Sequence, residues 1–166
     1  MSLIDILLPD YNRETSTTRQ VLERVPDEAL GWTPHETAMA LDSLASHVAM
    51  VPTWTSVVMT QNSLDISAAT GGLPPPPISA ARLVSSFDRN INGARSLLVG
   101  KSDDELTKSW TLQRGSKIIF SLRKIAALRY CVVNNLIHHH GEICVYLSML
   151  NVAVPSIYSL SVFDQQ

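Results

Sequence analysis

Apolar side chains recur every three or four positions over much of this chain, the period that lays one helical stripe against a core. Leu83, Phe87, Ile91, Ala94 and Leu98 make the cleanest stripe, on a helix predicted from an N-cap at Ser79 to about Val99 and ended by Gly100. A second stripe runs through residues 121–150: Ile125, Leu128, Val132, Asn135, His139, Ile143, Tyr146 and Leu150 fall on one face of a long last helix. Asn135 and His139 are the only members of that stripe that are neither apolar nor aromatic. Residues 10–25 read as the first helix, with Pro9 in its first turn and Pro26 beyond its end. Residues 26–30 form a short extra turn before the loop Gly31-Trp32-Thr33-Pro34. Residues 41–59 read as the second helix, which Pro52 kinks or breaks because it supplies no backbone donor.

Between these helices the pattern lapses twice. Residues 60–78 end in Gly71-Gly72-Leu73-Pro74-Pro75-Pro76-Pro77, a stiff polyproline close to a long crossover loop. Residues 106–120 hold Trp110-Thr111-Leu112 and Lys117-Ile118-Ile119-Phe120 around Arg114-Gly115-Ser116, either a short hairpin or an irregular loop. The tail from Val152 to Tyr158 is apolar enough to pack on the core. A chain of 166 residues without repeats makes one domain, 1–166, and four main helices make an all-α bundle.

Charge and composition narrow the function. Lys+Arg of 13 against Asp+Glu of 15 gives a net charge of -2, with no concentrated basic face for nucleic acid. The cluster Arg123-Lys124 with Arg129 reads as a solvated helix start. No apolar run approaches the roughly 18–20 residues of a membrane span, and Met1-Ser2-Leu3-Ile4-Asp5 lacks the basic start of a signal peptide. Cys131 and Cys144 lie thirteen residues apart on one predicted helix, about 20 Å along its axis, too far to bridge. Buried free thiols, a reducing compartment and a cytoplasmic location are expected.

The remaining chemistry is histidine. His138, His139 and His140 follow Asn134-Asn135-Leu136-Ile137 inside the last apolar helix, and His47 lies in Leu44-Ala45-Ser46-His47-Val48-Ala49-Met50. Imidazoles in such stripes either ligate a metal or need hydrogen-bond partners, because burying an unpaired polar group is costly. At about 100° per residue the triplet fans over about 200°, so its members cannot all reach one ion. Positions four apart can, which pairs 135 with 139. His138 replaces His139 only if the helix is rotated or distorted, and His140 is expected to point to solvent or to an oligomer partner. The competing reading makes His47 and His139 core histidines satisfied by Asn135, Glu142 or backbone carbonyls.

These segments resemble the DinB/YfiT-like family. Leu44-Ala45-Ser46-His47-Val48-Ala49 is similar to the family's second-helix motif. Asn134 through Tyr146, followed by Pro155-Ser156-Ile157-Tyr158, is similar to its fourth-helix signature, Asn-His-x-x-His-His-Arg-Gly-Gln with a Pro-x-x-Tyr tail. Val25 through Glu36 fits its first loop. The resemblance implies an up-down-down-up four-helix bundle, often dimeric, with a divalent metal on three histidines. It also implies metal-dependent hydrolases or transferases that use a low-molecular-weight thiol, and so a small-molecule or thiol substrate.

This chain departs from that signature at the centre. The three ligand positions fall on His47, Asn135 and His139, and the family's Arg-Gly-Gln is His140-Gly141-Glu142. An amide oxygen is a weaker ligand than imidazole for zinc or nickel. Asn135 is then either a weak third ligand, a group supporting the ligands, or a hydrogen-bond partner of His139 that replaces the metal. Glu142, one turn on, is the candidate compensating carboxylate, base or orienting group. The two functions expected are a metal-dependent enzyme with a degenerate His/Asn/His site, and a metal-free helical interaction module; a homodimer suits both.

Overall fold

The computed structural model describes residues 1–68 and 79–158; the polyproline run falls outside them. Helix α1 spans Leu3–Leu22, beginning well before the expected residue 10. Asp5 stabilises the start by accepting the Ser2 backbone N–H at 2.9 Å, as a capping box does. Pro9 therefore lies inside the helix. Its missing donor frees the Asp5 carbonyl, and both residues are exposed, so water satisfies what the ring removes. Ile4, Leu7 and Tyr11 keep the buried stripe running past it.

Asp27–Ala29 forms the expected short turn. Helix α2 (Leu41–Met50), a 3₁₀ turn at Val51–Thr53 and helix α3 (Trp54–Thr60) occupy the predicted second helix, broken at Pro52 as expected. Helix α4 (Ala80–Leu98) starts at Ser79, whose hydroxyl accepts from Arg82 N. Helices α1 and α2 each pack against α4 and against the last helix.

The all-α expectation needs correction, because the protein is mostly helical but carries a three-stranded sheet. Strand β1 (Ser63–Asp65) lies in the expected crossover loop and pairs in parallel with β2 (Ser109–Arg114), which pairs antiparallel with β3 (Lys117–Arg123). The segment at 106–120 is thus a true hairpin. Its two-residue turn opens on Gly115 at φ +58, the position that type II′ turns reserve for glycine. Asp65 ties β1 to that turn by accepting the Gly115 and Ser67 N–H groups. A short helix α5 (Asp103–Thr107) precedes the hairpin, capped by Ser102.

The last helix begins at Lys124 rather than residue 121, because β3 continues to Arg123. It consists of α6 (Lys124–Leu128), a π-helical segment (Arg129–Asn134) and α7 (Asn135–Met149). Lys124 is buried, not solvated: its ammonium donates to Met59 O and Glu105. The core joins all these elements, and Val152, Val154 and Ile157 of the tail pack onto it as expected. No described helix is long and apolar enough to cross a membrane.

Candidate metal centre

The π-helical segment decides which faces α7 presents. Its wider turn takes more residues than an α-turn, so everything after it is rotated relative to a regular helix. The buried stripe of α7 is Leu136, His140, Ile143 and Leu147: Ile143 was expected, and the other three lie one position on from Asn135, His139 and Tyr146. His140, expected to face solvent or a partner, is instead only 2% exposed. Its Nδ1 meets the Thr18 hydroxyl of α1 at 3.0 Å. Thr18 gives its own proton to the Glu14 carbonyl at 2.7 Å, so the hydroxyl accepts and His140 Nδ1 donates. Burial holds the His140 pKa down, opposed by the Glu14 charge.

Asn135 and His139 lie against His47 of α2. His47 and His139 meet with ring centroids 4.7 Å apart and planes at 85°. Burial first, and then the neighbouring His139, push the His47 pKa down; Asn135 and Glu142 oppose this. Asn135 stands close enough to His47 to favour its charged form, yet its buried Oδ1 meets no donor in hydrogen-bonding geometry. The three residues expected to converge, His47, Asn135 and His139, therefore do share one locus.

Glu142 joins them from one turn along α7. His139 Nδ1 donates to Glu142 Oε2 at 2.5 Å, which places the ring proton on Nδ1 and leaves the Nε2 lone pair available. His138 Nε2 lies 3.6 Å from the other carboxylate oxygen. One ligand atom from each of His138, His139 and Glu142 fits within a 4.8 Å span. His138 does not replace His139: it stays exposed and joins Glu142 beside it.

A cavity of about 460 Å³ opens beside these groups. The last helix lines it with Tyr130, Cys131, Asn134, Asn135, His138 and His139, and Trp54, Leu112 and Phe120 complete the lining. Phe120 and Tyr130 pack edge to face at 5.4 Å, and Trp54 packs on the fully buried Trp110 at 6.4 Å. Trp110 is core, and Trp54 is pocket wall. Trp32 packs against Tyr146 instead. Phe120 and Tyr130 had no local signal, since β3 and the π-helical segment carry them to the cavity.

Cys131 also lines the cavity, but burial raises its pKa to about 11, which keeps it a neutral thiol and a poor nucleophile. His35 is exposed and bonded to Thr37, and Asp42 bonds Ser43; neither contributes to this group.

Two solved structures share the fold. A DinB-like protein from Bacillus cereus ATCC 10987 is 22% identical with a TM-score of 0.68, covering 91% of this chain and 95% of its own. A DinB-like protein from Bacillus subtilis is 13% identical with a TM-score of 0.69, covering 93% and 96%. No curated protein matches. Residues 6–166 match the DinB family across nearly the full length, and the chain belongs to that family.

Proposed function

We propose that this protein holds a divalent metal at His139 and uses it in hydrolysis or thiol transfer on a small molecule in the adjoining cavity. One observation carries the reading: His139 is in ring contact with His47, is bonded to Glu142, and lies beside a buried amide oxygen that has no donor. An unpaired buried acceptor costs free energy, which a cation, or the ring N–H of a histidine bound to one, relieves. Two imidazoles, a carboxylate and an amide oxygen form a donor set that suits zinc or nickel. The pairing of α1 and α2 with α4 and the last helix supports a four-helix scaffold for such a site.

A metal so placed supplies Lewis acidity, lowering the pKa of a bound water or thiol. The residues do the rest. His139 is the shared ligand, flanked by His47 and Asn135 toward α2 and by His138 and Glu142 toward solvent. Glu142 fixes the His139 ring through Nδ1 and is placed to take a proton from the nucleophile. Trp54, Phe120 and Tyr130 hold an apolar part of the substrate and thin out competing water.

The test is elemental analysis of untagged protein purified without added metal, then assays of hydrolysis and thiol transfer after zinc or nickel loading. Metal-dependent turnover that His139→Ala abolishes is the expected result. A second reading, a metal-free interaction module, is favoured by the bonds that already partner His139 with Glu142 and His140 with Thr18. Protein that stays metal-free and inactive after loading supports that reading instead.

A further inference from the structure

We infer that the metal of this chain sits on the outer side of His139, held by His138, His139 Nδ1 and Glu142, rather than between His47, Asn135 and His139. This rests on the reading that His139 ligates a metal at all, and it names the ligands.

The inner set is chemically poor. Asn135 contributes a neutral oxygen where an imidazole is needed, which weakens the set for zinc or nickel. The outer set offers two imidazoles and a full negative charge. Its spacing also suits an ion: tetrahedral zinc with bonds of about 2.0–2.1 Å sets its ligand atoms about 3.3 Å apart. The separations here are 2.5 Å between His139 and Glu142, 3.6 Å between His138 and Glu142, and at most 4.8 Å across the group. Small side-chain rotations bring all three onto one ion, since His138 and Glu142 are 67% and 42% exposed and free to move.

An open coordination position has somewhere to face. His138 and His139 both line the aromatic cavity, whereas His47 does not. A metal on the outer side therefore meets a ligand entering past Tyr130 and Phe120. Ligation through Nδ1 moves the His139 proton to Nε2. Asn135 Oδ1, buried without a partner one helical turn earlier, would then accept it. Asparagine at 135 then has a role of its own: it orients the ligand instead of being one. His47 keeps the ring in place by edge-to-face packing.

Zinc affinity of the full chain, measured by competition with a chromophoric chelator, separates the two sides. His138→Phe and Glu142→Gln are expected to weaken zinc binding by tenfold or more each. His47→Phe, which preserves the ring contact, is expected to change it by less than threefold. Circular dichroism checks that each variant stays folded, and the exposure of His138 and Glu142 makes those two substitutions mild. Affinity lost in His47→Phe but kept in His138→Phe overturns this inference while leaving a metal site at His139. Wild-type protein that binds no zinc overturns both.

Discussion

Thr18 of α1 and His140 of α7 are joined by a 3.0 Å bond between hydroxyl and Nδ1, with both side chains almost fully buried. The bond joins α7 to α1, and His139, the preceding residue, packs against His47. Removing the hydroxyl leaves a buried imidazole N–H without an acceptor, at a cost of about 1–3 kcal/mol. Thr18→Val is therefore expected to lower the unfolding free energy, measured by urea denaturation, by that amount. The double variant Thr18→Val/His140→Leu should lose less than the sum of the two single losses. Strict additivity would show that the pair is uncoupled.

Trp110 is fully buried, yet its indole N–H finds no acceptor. Trp110→Phe removes an unsatisfied donor along with volume, and the two effects oppose each other. Chemical unfolding should show a loss below about 1.5 kcal/mol, against about 3–5 kcal/mol for Trp110→Ala. Equal losses in the two variants would mean that the N–H is paired in solution.

Glu105 accepts from Lys108 and from the buried Lys124, which hold its pKa down from 4.5 to about 2. A carboxylate with a depressed folded pKa stabilises the protein above its unfolded pKa and loses that contribution as pH falls. Melting temperature should fall more steeply in wild type than in Glu105→Gln between pH 4.5 and 2. Parallel curves through that window would contradict the pairing.

Gly141 lies within α7, and a Cβ added there meets nothing within 4 Å. Gly141→Ala should raise stability by roughly 0.5–1 kcal/mol through reduced chain entropy alone. A destabilised variant would mean that another chain approaches this face closely.

The legible parts of the fold were local ones. Ser79 with Leu83 and Phe87 carries cap and stripe within three turns, and Pro52 announces its own break. His47 and His139 stood out because they interrupt apolar stripes, and the structure does bring them together. Strand β1 was hidden because it has only three residues and its partner Thr111 lies far along the chain. Pro9 misled because the rule against internal proline assumes that the freed carbonyl is buried. The π-helical segment had no marker in residue type, being set by packing of Cys131, Val132 and Val133 rather than by spacing. That one undetected turn is why His140 was assigned to solvent.

Calorimetric titration of zinc into wild type and His139→Ala tests the central claim most directly, because His139 is common to both ligand sets. About one zinc per wild-type chain, with binding lost in the variant, is the predicted result. Equal binding by the two proteins, or none by wild type, would contradict a metal centre at His139.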